Sequence, residues 1–244
     1  MIVRGVLVAL GSWALFLSAC SKVEDGFSCK NQSQKSDHLA FTAVASAVEA
    51  SDRESAEPEC GVRNPVGCRS TNELVWAPDF RRAVESFGGK ARTSVLGAGE
   101  ARLSDVLISA LGGPPDDPTR LPNGSRLFTA CVAHSCTEKG AIVLTSSGSI
   151  TVAATLTNHL VNEGDVSKPS GPHYSRLDIF LADPAPADSA WCEPMRIWAK
   201  AAYATNRKHF SNIFKTHSIG LTEYHWLVSP ESGNLTQLHR FKIE

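Results

Sequence analysis

The second half of the chain carries the hydrophobic pattern of β-strands. Residues 150–157 place apolar side chains at every second position, which is typical of a strand that buries one face. Three further runs, rich in apolar and β-branched residues, predict strands at 126–133, 139–145 and 176–181. Because short connections join the first three strands along the chain, the pattern predicts an antiparallel meander.

Helical periodicity predicts elements that could cover this sheet. Two short helices are predicted at 78–87 and 105–111, each followed by a pair of glycines. Apolar residues at helical spacing predict another helix at 37–50. A longer helix is predicted at 190–206, and four large or apolar side chains share one face of it: Trp191, Met195, Trp198 and Ala202.

These patterns predict an α+β fold, in which an antiparallel sheet of about five strands is covered by helices. Residues 222–228 alternate as in a strand, and 235–243 form a second predicted strand after a turn. Together they add a C-terminal β-hairpin to the sheet. A small N-terminal extension is expected to be helical and to contain a disulfide. The predicted organisation is a leader at 1–19, a tether and helical extension at 20–70, and the main domain at 71–244.

The leader has the organisation of an export signal. One basic residue precedes an apolar stretch that is too short for a transmembrane helix. The following Leu17-Ser18-Ala19-Cys20 resembles the lipobox of bacterial lipoproteins, which implies cleavage before Cys20 and lipidation of that residue. The alternative is an ordinary signal peptide with a chance cysteine. We therefore expect an exported protein, anchored by lipid to a bacterial membrane, with the periplasmic face of the outer membrane favoured by Ser21.

Cysteine usage agrees with export. The chain has seven cysteines, and six remain when the lipidated one is set aside, an even number that predicts disulfides in an oxidising compartment. The shortest separation favours one pair, and a turn rich in Asn, Pro and Gly favours another. The predicted pairs are Cys131 with Cys136, Cys60 with Cys68 and, by elimination, Cys29 with Cys192.

Charge and motifs exclude several functions. The chain has 24 Lys and Arg against 25 Asp and Glu, with no basic run, so it lacks the electrostatic footprint of a nucleic-acid-binding protein. It contains no nucleophile elbow, phosphate-binding loop or His-Glu-x-x-His motif. We therefore predict that the protein is not an enzyme and uses no cofactor or metal, although His217, His225 and His239 could in principle form a metal site.

The segment Cys131-Val-Ala-His-Ser-Cys136 is the candidate functional site. Spacing alone favours a disulfide that staples two strands, with His134 as a solvated residue. Zinc ligation by the two thiolates and His134 is a further alternative, but no fourth ligand is evident. A redox role is disfavoured because such sites place two residues between the cysteines, not four.

Residues 128–144, Phe-Thr-Ala-Cys-Val-Ala-His-Ser-Cys-Thr-Glu-Lys-Gly-Ala-Ile-Val-Leu, resemble the signature segment of the inhibitor of vertebrate lysozyme (Ivy) family. That family carries Cys-x-x-His-x-Cys on a loop between two strands. The following Gly148-x-Ile150 fits as well, and the resemblance covers roughly 72–206. Better-known members have Pro before the histidine and Asp after it, where this chain has Ala133 and Ser135.

The resemblance implies a mechanism of inhibition. The disulfide-closed loop would enter the active-site cleft of a c-type lysozyme, where His134 would hydrogen-bond the catalytic carboxylates. Val132, Ala133 and Ser135 would contact the walls beside it. The competing hypotheses are an envelope-structural or assembly lipoprotein that reuses the fold, and a metal-binding module. The expected partners are a c-type lysozyme and the membrane, with a homodimer left open.

Overall fold

The computed structural model describes residues 59–97, 99–158, 173–184, 189–209 and 218–243. The leader, the lipidation site at Cys20, the predicted helix at 37–50 and Cys29 lie outside these residues. Four α-helices are found in the described part: α1 (Thr71–Trp76), α2 (Phe80–Gly88), α3 (Leu103–Ala110) and α4 (Cys192–His209).

Nine strands form two sheets in the described part of the chain. The small sheet pairs β1 (Arg92–Thr93) with β2 (Ala101–Arg102). The large sheet contains seven strands in chain order: β3 (Thr119–Arg120), β4 (Arg126–Val132), β5 (Ser135–Leu144), β6 (Ile150–Thr157), β7 (His173–Leu181), β8 (Ser218–Ser229) and β9 (Asn234–Lys242).

The predicted α+β class is confirmed, with more strands in the main sheet than the five or so expected. Neighbouring strands of this sheet run antiparallel, except that β7 and β8 are parallel. Parallel neighbours need a crossover connection, and α4 lies in the segment that joins them. The two-residue strand β3 is too short to produce a recognisable sequence pattern.

The central strands of the large sheet are buried on both faces. One face packs with α1, α2 and α3, and the other packs with α4. Adjacent strand residues therefore enter different cores: Ile142 lies in the first core and Val143 in the second. This arrangement explains the near-continuous apolar runs in β5 and β6, because a strand covered on both sides has no polar face.

Residues 60–68 pack against the main domain. Val62 and Cys68 are buried in the core formed with α1–α3. Nη1 of Arg126, on β4, donates to the carbonyl oxygens of Pro65, Val66 and Cys68, each at 3.0 Å. Ser70, the residue chosen as a domain boundary, caps α1 by accepting a hydrogen bond from the backbone N–H of Glu73.

The helices of the described residues do not include one that is both long and apolar enough to cross a bilayer.

Candidate functional site

The Cys131–Cys136 segment forms the end of the β4–β5 hairpin. Val132 pairs with Ser135, so that only Ala133 and His134 lie in the turn. The predicted second strand begins at Lys139, whereas β5 begins at Ser135. The expected loop is therefore a two-residue turn on paired strands, which is stiffer than an open loop of the same sequence.

An irregularity in strand pairing brings the two cysteines together. Cys131 pairs with Lys139, whereas the next residue, Val132, pairs with Ser135. Residues 136–138 consequently have no opposite partner on β4, and they form a bulge. The Cys131–Cys136 disulfide closes the hairpin across this bulge. Sequence separation predicted the pairing, but not the bulge that accommodates it.

His134 lies at the exposed tip of the hairpin. Its φ is 64°, in the left-handed region, where non-glycine residues are uncommon and His is among the enriched types. Ala133 and His134 are exposed, while Val132 and Ser135 are half-buried. The imidazole is thus presented to solvent from a defined backbone conformation.

The preceding chain segment supports the β4 side of the hairpin. The N–H of Gly113 donates to the carbonyl of Cys131 at 2.8 Å, and the N–H of Cys131 donates to the carbonyl of Pro114 at 3.0 Å. A Cβ on Gly113 would lie 2.6 Å from the Cys131 oxygen and 2.9 Å from the Ala133 nitrogen. This close backbone approach requires glycine.

Two buried asparagine side chains hold the β5 side. The carbonyl of Thr137, inside the bulge, accepts hydrogen bonds from Nδ2 of Asn158 at 2.6 Å and Nδ2 of Asn206 at 3.2 Å. Oδ1 of Asn158 in turn accepts from Ser175 at 2.7 Å. The sequence did not indicate these two residues, because no local pattern marks an asparagine that bonds a carbonyl 21 or 69 positions away.

A charged group lies beside the disulfide. Nζ of Lys139 is 3.5 Å from Sγ of Cys131 and 3.7 Å from Oδ2 of Asp116. The same Asp116 oxygen accepts a hydrogen bond from the Thr129 hydroxyl at 2.9 Å. These contacts connect the base of the hairpin to the strand edge before β3.

A buried ion pair fixes α4, the helix that carries Asn206. Arg196 on α4 donates from Nε and Nη2 to the two carboxylate oxygens of Glu223 on β8, at 2.9 and 3.0 Å. Nε2 of His225 hydrogen-bonds the same carboxylate. Burial alone would raise the pKa of Glu223, but hydrogen bonds and positive charge from His225 and Arg196 outweigh it and hold the pKa below its usual 4.5.

A second buried carboxylate lies on the opposite face of the sheet. Burial raises the pKa of Asp178 above its usual value, although the positive charge of Arg176 and hydrogen bonds from Arg176 and Trp226 act to lower it. Nε1 of Trp226 donates to Oδ1 of Asp178 at 2.7 Å. These groups join β7 to β8 within the core, and they do not reach the hairpin tip.

Three of the other cysteines that were predicted to pair lie in the described residues: Cys60, Cys68 and Cys192. Cys60 and Cys68 are joined by a disulfide, as predicted. Cys192 is also disulfide-bonded, while its predicted partner, Cys29, lies outside the described residues. All the cysteines of the described ranges are thus disulfide-bonded.

The zinc alternative does not fit this arrangement. Cys131 and Cys136 are bonded to each other and present no thiolates. Among the described residues, no group of three or more His, Cys, Asp or Glu side chains could hold a metal ion. His225 and His239 are strand partners on β8 and β9, but His225 bonds Glu223. His217 lies outside the described residues.

Comparison with known proteins gives no match: no family model, no curated protein and no solved structure matches the chain. The resemblance to the Ivy family over roughly 72–206 therefore stays a prediction.

Proposed function

We propose that this protein is a lipid-anchored inhibitor of c-type lysozyme, which inserts the Cys131–Cys136 hairpin into the lysozyme cleft. One observation carries the proposal: the hairpin is closed by a disulfide, and it exposes His134 at its tip in a defined backbone conformation. The protein acts by binding and performs no catalysis of its own.

The chemistry of the target suits an exposed imidazole. Glycosidases of this kind place two carboxyl groups on either side of the scissile bond. A neutral imidazole has one N–H donor and a charged imidazole has two, and hydrogen bonds to an ionised carboxylate are stronger than neutral ones. His134 bonds these carboxyl groups, and the hairpin excludes the polysaccharide from the cleft.

Rigidity favours this use of the hairpin. Ordering a mobile backbone costs roughly 1–2 kcal/mol per residue, and a binding element that is already ordered avoids most of that cost. Here the order comes from the disulfide, from the Gly113–Cys131 hydrogen bond and from the two asparagines that bond Thr137.

The exposure of the turn favours inhibition over the structural alternative. A hairpin that served only to hold an envelope assembly would be expected to pack against another part of the chain. Within the described residues, Ala133, His134 and Cys136 are exposed, and the supporting hydrogen bonds reach the base of the hairpin. Lipidation at Cys20 would keep such an inhibitor beside the peptidoglycan that it protects.

The test is an assay of cell-wall lysis. Purified mature protein is added to c-type and g-type lysozymes, and the fall in turbidity of a wall suspension is followed. We expect inhibition of at least one c-type enzyme at micromolar protein. If the mature protein slows no lysozyme at that concentration, the proposed function is wrong and the envelope-structural hypothesis takes its place.

A further inference from the structure

A groove continues from the base of the hairpin along α4. It has a volume of ≈ 600 Å³ and lies between the β3–β5 edge of the sheet and the outer side of α4. Leu127 and Lys139 are on the strand side, and Ile197, Trp198 and Ala201 are on the helix side. Because Lys139 also contacts the sulfur of Cys131, one end of the groove lies beside the base of the hairpin.

The groove is apolar along its helix wall and acidic at one end. Ile197 is 60% exposed, one of the few large apolar side chains in the described residues that are so accessible. Asp116 and Asp117 lie at the end nearest β3, and Lys139 neutralises part of their charge. The complementary ligand is an apolar side chain with a Lys or Arg close to it.

The size of the hairpin indicates that a second contact is needed. A stable protein–protein interface buries about 800 Å² on each partner, from roughly 20–30 residues. The part of the hairpin that can enter a cleft is Val132–Cys136, only a few residues long. A partner that receives the tip must therefore contact neighbouring surface, and the groove is an accessible, largely apolar surface of the described residues that adjoins the base.

We infer that the groove is a second docking site for the lysozyme that receives the hairpin. It binds a segment at the rim of the lysozyme cleft, whose apolar side chain packs on Ile197 and Trp198 and whose basic group faces Asp116 and Asp117. This inference rests on the proposed function. It assigns α4 a role in affinity and in the choice of lysozyme, separate from blockage by His134.

The experiment compares two arginine substitutions on the same helix. Ala201→Arg fills the groove, and Ala204→Arg, three residues further on, adds the same side chain at an exposed position that does not line it. Binding of full-length mature protein to an inhibited c-type lysozyme is measured by surface plasmon resonance, with thermal unfolding as the check on folding. We expect Ala201→Arg to weaken binding at least about tenfold, mainly through faster dissociation, and Ala204→Arg to leave it unchanged.

A charge reversal tests the acidic end independently. Asp117 is exposed. We expect Asp117→Lys to slow association with lysozyme and to reduce the dependence of the association rate on salt. If Ala201→Arg and Asp117→Lys both bind like the wild type while His134→Ala does not, the groove is not a docking site and the proposed function stands. If the wild type binds no lysozyme, both the proposed function and this inference are wrong.

Discussion

Removal of the hairpin disulfide tests whether preorganisation contributes to binding. The variant Cys131→Ala/Cys136→Ser keeps a small apolar group at the buried position and a polar group at the exposed one. The two cysteines are five residues apart, and for so short a loop the chain-entropy relation gives about 2 kcal/mol of stabilisation. That free energy corresponds to roughly a 30-fold change in an equilibrium constant.

The chain entropy that the disulfide removes affects the free energy of unfolding and the affinity for lysozyme differently. The free energy of unfolding, from urea titration, should fall by about 2 kcal/mol. The affinity for lysozyme should fall by up to roughly 30-fold, because the open hairpin must be ordered on binding. The fall in affinity will be smaller if the Val132–Ser135 pairing and the asparagines on Thr137 already order the chain.

The second disulfide supplies a matched control. Cys60 and Cys68 are eight residues apart, and the same relation gives a stabilisation of about 2.5 kcal/mol. We expect Cys60→Ser/Cys68→Ala to lose comparable stability and to keep the affinity of the wild type. If the hairpin variant loses stability but inhibits as strongly as the wild type, the disulfide does not contribute to preorganisation of the hairpin for binding.

Three further predictions concern the supports of the hairpin. Gly113→Ala should lower stability by about 1–3 kcal/mol and weaken inhibition, because its Cβ would meet the Cys131 carbonyl. Gly112→Ala, whose Cβ would make only ordinary contacts, should change neither stability in urea titration nor inhibition in the lysis assay. Equal effects of the two substitutions would exclude a specific role for Gly113. Arg196→Met should cost about 3–5 kcal/mol in urea unfolding, because it removes two hydrogen bonds and a positive charge from the buried Glu223 carboxylate and leaves it with His225. A loss below about 1 kcal/mol would contradict this. Because the pKa of Glu223 is lowered in the folded state, its contribution to stability is present above about pH 4.5 and is lost as the pH falls through the folded-state pKa. In thermal unfolding, Glu223→Gln should therefore lose less stability at acid pH than the wild type. An equal loss of stability in the two proteins would refute this prediction.

Local patterns were sufficient for much of the fold. Alternation identified the strand at Ile150–Thr157, and the apolar face of Trp191–Ala202 identified α4, since both depend on residues close together in the chain. Sequence separation was sufficient for the Cys131–Cys136 and Cys60–Cys68 pairs. The start of β5 was placed four residues late, because Ser135–Glu138 is polar and carries no apolar alternation.

The supports of the candidate site could not be predicted in the same way. Asn158 and Asn206 reach Thr137 only because β6 and α4 converge beside the bulge, and Gly113 matters only through its approach to Cys131. The Arg196–Glu223 pair likewise depends on how α4 crosses the sheet. Such contacts are properties of the assembled layers, and no short segment of sequence encodes them.

The most direct test of the central claim compares two histidine substitutions in the lysis assay. His134→Ala removes the imidazole at the hairpin tip, and His209→Ala removes an exposed imidazole at the end of α4. Hydrogen bonds to charged groups contribute about 1.5–3 kcal/mol, so we expect His134→Ala to raise the concentration for half-inhibition roughly 10- to 100-fold and His209→Ala to leave it unchanged. If His134→Ala inhibits as strongly as His209→Ala and the wild type, His134 does not anchor the hairpin in the lysozyme cleft.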